Sequence, residues 1–221
     1  MPLDVVTATK HLSRSDPVMR RIVKAVGPCA LKPGARGDNF TTILRAIVGQ
    51  QLSAKAAETI WQRLVALHPN GRKILPVDIL SATVKQLRAT GMSNAKVAYA
   101  KDLAQHVVGG ELRLNGIGRY DDERIIADLV AVKGIGRWTA EMFLIFKLGR
   151  PDVWPVDDLG IRNAVKRAYN LEPTKDNMAR VAEPWRPWRS VASWYLWRSL
   201  ALDLPGGAGV SPASKSGAQP V

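Results

Sequence analysis

Apolar residues recur along this chain at three- and four-residue intervals, the spacing that lines one face of an α-helix. Val18, Met19, Ile22, Val23 and Val26 follow Ser15-Asp16-Pro17 and stop at Gly27-Pro28, which predicts a capped helix. Lys32 to Asp38 is a Gly/Pro loop. Phe40, Ile43, Leu44, Ile47 and Val48 predict a second helix, interrupted by Gln50-Gln51-Leu52. Ser53 then caps a third, carrying Ala57, Ile60, Trp61, Leu64 and Val65 up to a break at Pro69-Asn70-Gly71. Short helices are predicted around residues 77–80 and 84–89, the latter stopped by Gly91. Ser93 opens another with Val97, Ala98, Leu103 and Val107, ending at Gly109-Gly110, and Asp121-Asp122 opens the next. Further on, helices are predicted from Asp158 to about Tyr169, after Thr174, and through Val191, Trp194, Leu196 and Leu200. Neither strand alternation nor a fixed-period repeat is visible, so the predicted class is all-α. From Pro205 onward the chain is small, polar and Pro/Gly-rich, which predicts a disordered tail.

Composition narrows the partners. Of 221 residues, 46% are hydrophobic, enough for one large domain or a pair of lobes. Lys and Arg number 32 against 19 Asp and Glu, a formal net charge of +13 that favours a polyanion and binding that weakens with salt. Such charge also serves solubility or a membrane surface, so it only inclines the reading toward nucleic acid. No apolar run reaches transmembrane length, and the N-terminus lacks a signal-peptide core, so a cytoplasmic location is expected, at the nucleoid if the source is bacterial. The single cysteine, Cys29, excludes an internal disulfide and reads as a small buried residue. His11, His68 and His106 are too scattered for a zinc site, and His68 and His106 read as surface residues near helix ends. No metal site is expected.

Candidate chemistry gathers in residues 129–161, LVAVKGIGRWTAEMFLIFKLGRPDVWPVDDLGI. Lys133-Gly134-Ile135-Gly136-Arg137 forms a glycine hairpin. Ile125, Ile126, Leu129 and Val130 precede it at helical spacing, and Ala140, Phe143, Leu144 and Leu148 follow. Glycines there allow positive φ and leave backbone N–H groups uncovered at a helix start, where a phosphate docks. Lys133 and Arg137 flank the turn with further charge. Asp157-Asp158 stands at the start of the next helix. Taken singly, such a turn is also a tight connection and such an aspartate also an N-cap.

Hairpin, spacing and aspartate together resemble the helix–hairpin–helix/Gly-Pro-Asp superfamily of DNA base-excision glycosylases. GIGRWTA followed by PVDDLGI is most similar to its alkylbase branch, the DNA-3-methyladenine glycosylase II type. The resemblance implies a monofunctional, monomeric enzyme that flips an alkylated purine out of double-stranded DNA and hydrolyses its N-glycosidic bond. It implies Asp158 as the catalytic carboxylate, because Ile161, three residues on, matches the apolar residue that follows the family aspartate; Asp157 is the competitor. Gly134, Ile135 and Gly136 with Lys133 and Arg137 would hold the DNA backbone. Trp138 and Trp197 match the pocket tryptophans, whose ring faces attract a cationic base, whereas Trp61, Trp185 and Trp194 read as core. The stretch Leu44 to Ser53 resembles the loop that carries the wedge, which falls on Gln51 with Leu52 beside it; relatives often place an apolar residue there. Thr90 to Lys96 resembles a family turn that reads as packing.

Bifunctional relatives carry a lysine nucleophile where this chain has Trp138, so no Schiff base is expected. The iron–sulfur cluster of some relatives needs four cysteines and is excluded. No cofactor is required, though family members commonly hold a monovalent cation, Na or K, on hairpin carbonyls. The implied architecture has residues 40–148 as one helical lobe and 149–204 as the other, joined by the N-terminal helix of residues 1–39, with 205–221 as tail. The chain starts too close to the helical core for the N-terminal β-domain of some relatives. Other readings remain open here: a glycosylase/lyase for oxidised bases, and a non-catalytic DNA-binding module.

Overall fold

A computed structural model describes residues 3–34, 37–67 and 73–202. His68 and the tail predicted from Pro205 lie outside the described residues. Within them every regular element is helical, and no helix is long and apolar enough to cross a membrane. The chain divides into two compact units, one running to Phe143 from the loop before Asn39, the other combining the chain up to Gly34 with the chain from Leu144.

The first unit holds α3 (Asn39–Gly49), α4 (Ala54–Ala66), α5 (Pro76–Ser81), α6 (Val84–Ala89), α7 (Asn94–Val108), α8 (Asp122–Val130) and α9 (Arg137–Met142). Starts are written in the sequence: the side chains of Asp38, Ser53, Thr83, Ser93 and Asp121 each accept a hydrogen bond from a first-turn amide. α7 is the central helix, packed by α3, α5 and α6 and burying Val97, Ala100, Leu103 and Ala104. α8 and α9 pack on one another as the arms of the hairpin.

The second unit holds α1 (Val5–Ser15), α2 (Pro17–Val26), α10 (Leu159–Tyr169), α11 (Lys175–Ala182) and α12 (Arg189–Ser199). Its central helix is α12, buried all round from Ser190 to Leu196 and packed by α1, α2 and α10. Such a helix must satisfy its polar groups internally. Ser190 Oγ donates to the Arg150 carbonyl at 2.6 Å and accepts the Val153 amide at 3.0 Å. Trp185 is fully buried; its indole donates to Asp16 at 2.9 Å, and Tyr169 donates to the same oxygen at 2.6 Å.

α1 is absent from the sequence reading, and the boundary between units falls at Phe143/Leu144, inside the run of helix that continues α9. That continuation, Phe143–Leu148, is π-helical. Cys29 is half-buried rather than buried, with its thiol pushed up by burial. His106 is half-buried rather than free at the surface; its Nδ1 lies 2.9 Å from the Asp102 carbonyl and its Nε2 3.4 Å from Glu111. Trp61, Trp185 and Trp194 are buried.

Candidate active site

The aspartate is built by the loop after Gly149. Ser190 pins that loop at Arg150 and Val153, and Arg189 pins it at Asp152 through Nε to Oδ1 at 2.6 Å and Nη2 to Oδ2 at 2.9 Å. A turn closed by the Asp158 amide on the Pro155 carbonyl, 3.0 Å, then delivers Asp158 as the N-cap of α10. Its Oδ1 accepts the Ile161 amide at 2.8 Å and the Trp197 indole N–H at 2.8 Å. Asp157, one residue earlier, is exposed.

Trp197 orients the carboxylate through that bond, while Phe146 stacks on its ring at 5.8 Å between centroids. Gly160 leaves room for this arrangement. A Cβ there would come within 3.1 Å of Asp158 Oδ1 and 3.2 Å of Trp197 Cδ1. An isolated glycine inside a helical pattern points to a packing reason.

At the hairpin, Gly134 takes φ +80°, and any Cβ there would overlap the Tyr99 ring. Gly136 is the N-cap of α9, with no side-chain cap and with open space for 4 Å around the place a Cβ would take. First-turn amides of a helix have no partner inside it. The flanking cations already have partners. Lys133 donates its backbone N–H to Asp102 Oδ2 at 2.8 Å and brings Nζ to 3.4 Å from Oδ1. Burial alone would raise the Asp102 pKa, but the Lys133 amide and ammonium outweigh it and hold the carboxyl below its usual range. Arg137 forks onto Glu123 at 2.6 and 3.0 Å and reaches the buried Glu141 at 3.1 Å. The Glu123 bond, foremost, raises the Arg137 pKa and lowers that of Glu123.

The loop between α3 and α4 is joined to that hairpin. Gln50 Nε2 donates to the Gly134 carbonyl at 2.8 Å, while Lys96 Nζ donates to the Val48 and Gln50 carbonyls at 2.8 and 2.6 Å. Between them Gln51 is exposed and left-handed at φ 57°, a conformation that costs a non-glycine residue roughly 1–2 kcal/mol. Leu52 is half-buried.

Residues 44–189 match the HhH-GPD superfamily of base excision DNA repair proteins. The chain belongs to this superfamily. It is 36% identical over 198 residues to DNA-3-methyladenine glycosylase 1 of Schizosaccharomyces pombe, covering 87% of this chain and 86% of that one. The solved S. pombe 3-methyladenine DNA glycosylase in complex with abasic DNA superposes with a TM-score of 0.77 at 36% identity, covering 89% of this chain and 97% of that chain. A DNA-3-methyladenine glycosidase from Bacillus halodurans superposes with a TM-score of 0.78 at 30% identity, covering 87% and 88%.

The HhH-GPD match spans the Gln51 loop, the hairpin, Trp138 and Asp158, and stops before Trp197. Trp138, on the first turn of α9, is 42% exposed and belongs to a different unit from Asp158 and Trp197. Among the described residues no group of three or more His, Cys, Asp or Glu is placed to hold a metal ion.

Proposed function

We propose that this HhH-GPD protein is a monofunctional DNA glycosylase that removes alkylated purines of the 3-methyladenine type from duplex DNA. The observation that carries the reading is the Asp158 carboxylate, held through one oxygen by the Ile161 amide and the Trp197 indole. A carboxylate fixed by donors on rigid helices needs no reorganisation as positive charge develops on a sugar. Alkylation on a ring nitrogen makes the base a good leaving group, so little acid catalysis is needed. The sugar then becomes oxocarbenium-like, Asp158 stabilises it, and the same carboxylate orients or deprotonates the attacking water. An electron-rich indole face, as Trp197 or Trp138 could present, attracts a cationic base, worth about 0.5–2 kcal/mol per contact. Hairpin amides at Gly134 and Gly136 hold a phosphate, and Gln51, with Leu52 beside it, fills the gap left by the flipped base. The S. pombe relative of known structure was solved on abasic DNA, the product such a reaction leaves. A hairpin cation would have main-chain oxygens as ligands, of which Gly134's already accepts the Gln50 amide.

The test is release of free 3-methyladenine from methylated duplex DNA, run with and without borohydride. Free base, unbroken strands until alkali is added, and no trapped protein–DNA adduct are the predicted results. A trapped adduct would overturn the monofunctional assignment, and absence of released base would overturn the glycosylase.

A further inference from the structure

Lys96 spends its ammonium in an unusual place. A surface lysine ordinarily keeps its head group in water. Here the side chain is half-buried, burial holds its pKa below the usual lysine value, and both oxygens it reaches are at the C-terminal end of α3. One belongs to Val48 and the other to Gln50, the residues leading into left-handed Gln51. On the far side the Leu52 amide returns to the Gly49 carbonyl at 3.2 Å. The side chain of Gln50 reaches a partner 84 positions away, the carbonyl of hairpin Gly134. A strained residue persists only where its surroundings over-determine it, and such strain is a pointer to function.

We propose that Lys96 and Gln50 form a clamp that fixes the reach of residue 51 relative to the phosphate-binding hairpin. Lys96 is a positioning residue: it sets which nucleotide is displaced from the stack, measured from the phosphate the hairpin holds. The clamp rests on the glycosylase reading, with Gln51 as the inserted side chain. It makes loop and hairpin one rigid piece, so backbone anchoring and base displacement occur in register.

A clamp acting through residue 51 differs from general support of the fold in one measurable respect. In the first case, loss of Lys96 costs nothing further once the residue-51 side chain is gone. Single-turnover release of 3-methyladenine from methylated duplex DNA is therefore compared for the parent, Lys96→Met, Gln51→Ala and the double variant. Methionine keeps the length of the apolar stem and removes the donor. Each single change is expected to slow release on the order of tenfold, and the double no more than Gln51→Ala alone. Factors that multiply, or either single variant releasing base at the parent rate, overturn the clamp. Should Lys96→Met fail to fold by circular dichroism, Gln50→Leu, which cuts the tie to Gly134, takes its place in the same cycle with the same outcomes. A parent that releases no base overturns the glycosylase reading and the clamp with it, whereas an active parent with multiplying variants overturns the clamp alone.

Discussion

The hairpin and the start of α10 are both helix N-termini, yet they use their side chains in opposite ways. At the hairpin, Lys133 and Arg137 face Asp102, Glu123 and Glu141, so the cations largely meet carboxylates, and in the proposed function the turn binds through its backbone. At α10 the cap itself is the group proposed to react, held by the Ile161 amide and the Trp197 indole. The difference fits what the proposed reaction asks of each. A phosphate is met by amides at any sequence, whereas a sugar cation that exists only in the transition state needs a full charge aimed at one atom.

The largest effect is expected at the aspartate. Asp158→Asn keeps capping ability and size, so folding should survive within roughly a kcal/mol. Excision should fall by about a hundredfold or more, the usual cost of removing one preorganised electrostatic contact. Asp157→Asn, changing an exposed neighbour, should cost far less in single-turnover assays. The reverse order would move the reaction to Asp157.

Next comes the turn. Gly134→Ala meets both the left-handed backbone and the Tyr99 ring, and should destabilise the protein by roughly 2–4 kcal/mol. Thermal unfolding should show this as a fall of about 5–15 °C. Gly136→Ala, with open space around it, should unfold near the parent temperature; equal losses would mean that both glycines serve the turn alone.

Trp197→Phe removes one donor to Asp158 while keeping a ring against Phe146. A net hydrogen bond to a charged group is worth about 1.5–3 kcal/mol, so single-turnover excision should drop roughly ten- to hundredfold with duplex affinity unchanged. Loss of affinity instead would make Trp197 a binding surface only.

The smallest effect concerns salt. Binding should weaken as salt rises, but Arg137→Gln should change the slope of log affinity against log salt by well under ~0.9, the contribution of a full phosphate contact. A change near that value would mean that Arg137 leaves Glu123 for the DNA.

How much of this was legible in the sequence depends on the range over which the physics acts. Helix starts were readable because a cap is a local event: Ser53, Ser93, Asp121, Thr174 and Asp158 each bond amides within the next turn. α1 carries a weak signal because Val5, Val6, Thr7 and Thr9 are β-branched and only Ala8 and Leu12 are buried. The pairing of Asp158 with Trp197 spans 39 positions and that of Gln50 with Gly134 spans 84, distances no periodicity encodes. Lys96 read as part of a packing turn for the same reason, its acceptors lying 46 and 48 positions back. The partners of Lys133 and Arg137 were equally invisible, so the hairpin looked more cationic in one dimension than it is in three.

The division of labour is tested most directly by measuring two quantities on the same two variants. Asp158→Asn and Gly136→Asp are each assayed for affinity to undamaged duplex and for single-turnover excision of 3-methyladenine at saturating protein. Gly136 is the suitable hairpin position because its surroundings admit a side chain. Asp158→Asn should bind like the parent and excise about a hundredfold or more slowly. Gly136→Asp should bind damaged and undamaged duplex more weakly alike, and excise near the parent rate once saturated. If the hairpin variant loses excision at saturation, or the aspartate variant loses affinity for undamaged duplex, anchoring and chemistry are not separate functions of the two helix starts.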